Sequence, residues 1–135
     1  MIVAAEVSVD TKSGQIKVHH LWAAVDPGQV VQPKNVAAQI KSAMTFGLGA
    51  ALIEQIAIKD GVMQATNFDS YPVLRMSDVP PMEVAVISTN DPPTGIGEAG
   101  VPAVAPAIAS AVAQLTGKRL RHLPMTPDRV KQSLG

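Results

Sequence analysis

Two runs of strict apolar and polar alternation stand back to back near the N-terminus. Ala5-Glu6-Val7-Ser8-Val9-Asp10 and Gln15-Ile16-Lys17-Val18-His19 are separated only by Thr11-Lys12-Ser13-Gly14. Alternation sends successive side chains to opposite faces of an extended chain, and the turn residues between the runs fold them into a β-hairpin. Leu21 to Val25 extends the second strand until Asp26-Pro27-Gly28 stops it. From Pro33 the period changes: Val36, Ile40, Ala43, Gly47 and Ala51 recur three or four apart, which predicts a helix over roughly 34–54 with Pro33 at or near its first position. Gly47 and Gly49 inside it each cost about 1 kcal/mol relative to Ala, so another element is expected to approach that backbone closely.

Further along, Ala57-Ile58-Lys59 and Val62-Met63-Gln64 flank Asp60-Gly61 as a second hairpin. Asn67 to Pro81 reads as an irregular connection and Glu83 to Ile87 as a strand, followed by a loop at Asp91-Pro92-Pro93-Thr94. An alanine-rich helix is expected to start near Pro106, since a proline there would clash with the carbonyl four residues back had the helix begun much earlier. Gly117 ends it, with Lys118 and Arg119 near the negative end of its dipole. Leu120 to Leu123 suggests a last short strand, and Thr126-Pro127-Asp128 opens a terminal helix reaching about Leu134. Hairpins mixed with helices, without strict alternation, indicate an α+β class: a single domain over 1–135, two-layer and helix-on-sheet, with β-hairpins and two main helices. Only 3% of residues are aromatic although 47% are hydrophobic, so the core must be built from small side chains. A small domain of this kind has little apolar area to bury and is expected to pack on something else.

Several functions are excluded early. Eleven basic residues balance eleven acidic ones, and the short Lys118, Arg119, Arg121 cluster is no nucleic-acid footprint. With no cysteine, the chain has no disulfide, thiolate metal site, iron–sulfur ligand or cysteine nucleophile. No apolar run is long enough to span a membrane, and Met1 to Asp10 lacks the form of a signal peptide. His19 and His20 are adjacent, so on a strand they point to opposite faces and cannot both bind one metal. His122 has no carboxylate or histidine at ligand spacing. No serine lies in a G-x-S-x-G context.

Gly95-Ile96-Gly97-Glu98-Ala99-Gly100 matches G-x-G-x-x-G, yet a proline-containing loop separates it from the preceding strand, prolines follow it, and the downstream region is basic. A dinucleotide turn needs the opposite context. The segment remains a loop whose backbone can lie close to a ligand, a phosphate-bearing one included, and whose only ionisable side chain is Glu98. A carboxylate followed by Val101, Pro102 and Val104 could sit in the partly desolvated surroundings a general base requires. Glu98 reads equally well as a helix cap or a solvated residue, and Gln39 as a solvated polar residue on the long helix.

Taken in order, the motifs resemble a known family. Gly95-Ile96-Gly97-Glu98 with Val101-Pro102-Ala103-Val104-Ala105-Pro106-Ala107-Ile108-Ala109 is similar to the C-terminal signature of the xanthine dehydrogenase and aldehyde oxidase family of molybdenum hydroxylases. Ala24-Val25-Asp26-Pro27-Gly28, Gln39-Ile40, Phe46-Gly47-Leu48-Gly49-Ala50-Ala51-Leu52 and Thr116-Gly117-Lys118-Arg119-Leu120-Arg121-His122-Leu123-Pro124 resemble the same family in the same order. Asn67 to Met76 is similar to large subunits of the isoquinoline 1-oxidoreductase type in particular. The resemblance implies hydroxylation of an N-heterocycle or oxidation of an aldehyde, with water as oxygen source and a molybdenum–molybdopterin cofactor in its cytosine dinucleotide form. It places Glu98 at the general base and Gln39 and Gly97 at the cofactor. It implies as partners the remainder of the molybdopterin subunit, a separate [2Fe-2S] subunit and a small heterocyclic or aldehyde substrate, and it leaves the compartment, bacterial cytoplasm or periplasm, open. Ala99 stands where the family commonly has proline, and Lys41-Ser42 where it more usually has Glu-Gly. Because the family's large subunit is several times longer, the chain is expected to be a fragment or one product of a split gene, inactive alone. The rival expectation is a non-catalytic interaction module of the same fold.

Overall fold

The computed structural model describes residues 1–135. Strand β1 (Ile2–Val9) and strand β2 (Ile16–Val25) form the expected hairpin, and helix α1 (Pro33–Leu52) follows. A small hairpin of β3 (Ile58–Lys59) and β4 (Val62–Met63) precedes strand β5 (Met82–Val86), helix α2 (Val101–Thr116) and helix α3 (Pro127–Leu134). The main sheet has the order β1-β2-β5, with β1 and β2 antiparallel and β2 and β5 parallel. The parallel pairing, in which Leu21 to Val25 face Met82 to Val86, is what makes the sheet mixed. Both main helices lie on one face, α2 over β1 and α1 over β5, which is the helix-on-sheet arrangement of an α+β domain.

The core is the seam between these layers. Leu21, Ala23 and Val25 from β2 meet Ile40, Met44 and Leu48 from α1 and Val104, Ile108 and Val112 from α2, all buried. No polar or charged residue is buried. With so few large rings, the helices come close through glycine: a Cβ built on Gly47 would lie 2.6 Å from the carbonyl oxygen of Val101 and 3.0 Å from Val104 Cγ2. That close approach answers the expectation raised by a glycine inside the helix.

Three local expectations are corrected. First, α2 begins at Val101, five residues before Pro106, which lies within the helix. Pro106 has no N–H for the carbonyl of Pro102, and an interior proline costs about 3 kcal/mol. The buried stripe Val104, Ile108 and Val112 offsets this, because each fully buried side chain of this size is worth about 1.5–3 kcal/mol. Second, residues 120–123 form no strand. The carbonyl oxygen of Leu123, which a strand would offer to a ladder, instead accepts from Arg129 Nη1 at 2.6 Å. Third, His19 and His20 share one side of the sheet. A β-bulge between Glu6 and Val7 leaves His19 without a partner, Glu6 pairing with His20 and Val7 with Val18. The extra residue shifts the alternation by one, so Val18 packs on the core, Leu21 is buried, and both histidines face outward between them. His19 Nε2 lies 2.8 Å from Ser8 Oγ. His20 stacks on Trp22 with ring centroids 4.1 Å apart, and its Nε2 sits 3.1 Å from Glu83 Oε1 without hydrogen-bond alignment. No group of three His, Asp or Glu side chains is placed to hold a metal.

Residues 54–79 form an arm springing from the C-terminal end of α1. Asp60 and Gly61, with φ of 52° and 76°, make the tight turn of its hairpin. Farther along, Phe68–Ser70 and Met76–Asp78 are single 3-10 turns. Tyr71 Oη donates to Glu54 Oε2 at 2.8 Å and ties the arm to α1. That hydrogen bond, followed by desolvation and the carboxylate's charge, raises the Tyr71 pKa above its ordinary 10.0. The folded chain therefore holds the phenol proton more tightly than the unfolded chain; the linked stability is full below about pH 10 and is lost as pH rises through the raised value. Tyr71 is the chain's one tyrosine. A titration followed at the phenolate absorbance is expected to show a midpoint above that of free tyrosine, and Glu54→Ala is expected to return it to the ordinary value.

Candidate functional site

The glycine loop is positioned by two clamps. At its approach, Asp26-Pro27-Gly28 ends β2 in a turn, where the Gly28 N–H donates to Asp26 Oδ1 at 2.9 Å. Gly28 has φ of 79°, and a Cβ on it would lie 2.5 Å from the carbonyl oxygen of Pro92, so the loop from β5 lies directly against this backbone. The contact is hydrogen-bonded throughout. Gln29 N–H donates to Asp91 O at 3.0 Å, Thr94 N–H to Pro27 O at 2.8 Å, Thr89 N–H to Gly28 O at 3.2 Å, and Thr89 Oγ1 to Asp26 Oδ1 at 3.2 Å.

The second clamp is α1 itself. Gln39 Nε2 donates to the carbonyl oxygen of Gly97 at 3.1 Å across 58 residues of sequence. Three residues on, Gly100 is buried against the same helix, where a Cβ would lie 2.9 Å from Ala43 Cβ and 3.3 Å from Ile40 O. Val101 N–H then donates to Glu98 O at 3.0 Å as α2 begins. Of the three candidate residues, Gln39 and Gly97 are brought into direct contact and Glu98 is the next residue in the loop. Its side chain is exposed, so the apolar surroundings considered for it are not supplied by this chain. Gly97 is open too, with no atom within 4 Å of a Cβ built on it.

The Asp26, Thr89 and Thr94 clamp and the seat of Gly100 were not foreseen as parts of the site. The turn residues Asp26-Pro27-Gly28 were visible, but their partners lie more than 60 residues away, and no local pattern announces such a pairing. A cleft of about 1090 Å³ lies away from the loop: it opens beside Leu48, Leu52, Ile16, Leu74, Asp78 and Met125, and none of Gln39, Gly97 or Glu98 lines it. No trio of ligating side chains stands at the loop, so what this chain offers there is suited to an organic cofactor rather than to a bare metal ion: backbone without side chains on its open side, an amide held beside it, and one carboxylate.

Comparison with known proteins identifies the domain. A family model for the molybdopterin cofactor-binding domain matches residues 1–80, which include Gln39 but stop before the glycine loop. The loop falls within the longer matches to full relatives. The chain is 40% identical over 125 residues to the isoquinoline 1-oxidoreductase subunit beta of Brevundimonas diminuta, covering 93% of this chain and 16% of that one. It is 36% identical over 137 residues to the aldehyde oxidoreductase molybdenum-binding subunit PaoC of Escherichia coli K12, covering 96% of this chain and 19% of that one. The chain thus spans less than a fifth of these relatives. In fold it is similar to quinoline 2-oxidoreductase from Pseudomonas putida 86, with a TM-score of 0.87 at 24% identity over 96% of this chain and 18% of that one. No helix is long and apolar enough to cross a membrane. From the matched domain and the relatives that span nearly the whole sequence, the chain belongs to the molybdopterin cofactor-binding domain family of the molybdenum hydroxylases.

Proposed function

We propose that this chain is the carboxylate-bearing portion of a molybdenum-dependent hydroxylase subunit, with Glu98 as general base and Gln39 and Gly97 facing the cofactor. The observation that carries the proposal is the 3.1 Å bond from Gln39 Nε2 to Gly97 O. It fixes the loop to a 20-residue helix at the residue preceding Glu98, and a base must be held within hydrogen-bond reach of the proton it takes. With Nε2 committed to the loop, Gln39 Oε1 remains to accept a hydrogen bond, while Gly97 leaves the backbone free to lie against a flat ring.

When bound, the molybdopterin cofactor, in its cytosine dinucleotide form, supplies the redox-active metal that accepts the electron pair. The overall reaction inserts the oxygen of water into a C–H bond of an N-heterocycle or aldehyde and releases two protons and two electrons. Glu98 takes up one of those protons; the electrons leave through a separate [2Fe-2S] subunit. The rest of the molybdopterin subunit encloses Glu98 and forms the substrate pocket, so the chain alone is inactive.

The test is to express the chain with its genomic neighbours, purify what co-elutes and assay molybdenum and pterin. Both in a complex containing this chain support the proposal; a stable, cofactor-free chain that recruits nothing points to a non-catalytic module of the same fold. Gly97→Ala adds a sharper reading. It is expected not to lower the melting temperature of the free chain, since its Cβ meets nothing and Gly to Ala at such a position stabilises by up to about 1 kcal/mol, and to lower the pterin content of the complex severalfold.

A further inference from the structure

Residues 54–79 include no buried residue, yet hydrogen bonds organise the arm along its length. Gln64 N–H donates to Ala57 O at 2.9 Å, Asn67 and Ser70 cap one another reciprocally, Asp78 N–H donates to Arg75 O at 2.9 Å, and Tyr71 is tied to Glu54. Leu74 packs back against the core, but most of the arm's large apolar side chains are exposed. Ile58, Val62, Met63 and Val73 are more than half exposed, and Phe68 and Met76 are 95% and 91% exposed. An ordered backbone presenting apolar side chains to solvent is a surface shaped for a partner.

We propose that this arm docks on the remaining part of the molybdenum-binding subunit, and that assembly and chemistry occupy opposite ends of α1. The inference rests on the function proposed above. The occupant follows from length, since the chain matches only 16% and 19% of two relatives while nearly all of it is matched, leaving the greater part of such a subunit to cover it. A second copy fits less well. The arm carries Glu54, Asp60, Asp69 and Asp78 against Lys59 and Arg75, so two arms would meet with the same net sign. Strands β3 and β4 are two residues long, too short an edge to pair copies through the backbone. At 1.5 Å per residue, Leu52 at the root of the arm lies about 20 Å along α1 from Gln39, so docking can be perturbed without touching the glycine loop.

The experiment co-expresses this chain with the E. coli PaoC subunit lacking the stretch that this chain matches, and reads co-elution and Kd. Wild type and a control, Leu115→Ser on the exposed side of α2, are expected to bind alike. The double variant Phe68→Ser, Met76→Ser is expected to weaken binding at least tenfold while the free chain melts as before. Val62→Ser, on the hairpin, is a second variant expected to weaken binding about threefold should the double variant fold poorly. Binding by these variants as tight as wild type overturns the proposal, as does a wild-type chain that forms no complex or a wild-type dimer dispersed by the same substitutions. A complex that depends on the arm but retains neither molybdenum nor pterin leaves the docking surface standing and removes the proposed function. Cofactor retention with no dependence on the arm does the reverse.

Discussion

Glu98→Gln, in a complex that carries molybdenum and pterin, is expected to lower kcat by about 10²- to 10⁴-fold, the range a general base contributes. The substitution keeps size and polarity and removes only the ability to take a proton. Because the Glu98 side chain is exposed in this domain, the melting temperature of the free chain should not change. The bond from Gln39 to Gly97 uses a backbone carbonyl, so the loop keeps its tie to α1 and cofactor content should stay at the wild-type level. Steady-state kinetics together with metal and pterin assays check this. A variant that turns over like wild type removes Glu98 from the chemistry; one that loses pterin makes it a residue that holds the cofactor.

The second large effect concerns stability and needs no cofactor. Gly47→Val is expected to destabilise the chain by about 2–3 kcal/mol, because overpacking a filled contact costs about 1–3 kcal/mol and a branched side chain cannot rotate away from both obstacles. Its Cβ would lie 2.6 Å from a backbone oxygen, Val101 O, at the start of α2. The gain from replacing a helix glycine by valine, well under about 1 kcal/mol because valine is a poorer helix former than alanine, does not cover this. Two residues on, the outcome differs in sign. At Gly49 an added Cβ meets only the flexible end of Glu54, which can swing aside at the expense of its bond to Tyr71, so Gly49→Ala is expected to change stability by between zero and about 1 kcal/mol in the stabilising direction. Urea denaturation of the two variants checks both. Gly47→Val as stable as wild type would mean that α1 and α2 do not cross where the fold places them.

These two glycines show what could be read in the sequence. A glycine inside a helical pattern announces a close approach, and at Gly47 that approach is real; nothing local says which element arrives. The hairpins, the long helix and the stop at Gly117 were legible because they rest on periodicity and turn chemistry over a few residues. The parallel pairing of β2 with β5 was not, since it joins segments about 60 residues apart. The start of α2 was misplaced because a local rule about Pro106 was outweighed by the burial of Val104, Ile108 and Val112. Gln39 and Gly97 were both singled out, through resemblance, while nothing local announced their hydrogen bond; for Glu98 the local sequence left a desolvated base, a helix cap and a solvated residue open, and in this chain its side chain is exposed.

The bulge at Glu6 and Val7 has a meaning for how the chain's inside and outside are encoded. Ahead of it, β2 turns Ile16 and Val18 inward; beyond it, Leu21, Ala23 and Val25. The two halves are in opposite phase, and the single unpaired residue, His19, reconciles them. The bulge is what absorbs that change of phase. Deleting His19 would leave an unbroken alternation, with Ile16, Val18, Leu21, Ala23 and Val25 still on the core face and the pairing with β1 continuous; it is a strand pulled straight with His19 still in the ladder that would send Leu21, Ala23 and Val25 to solvent, everting half of the central strand.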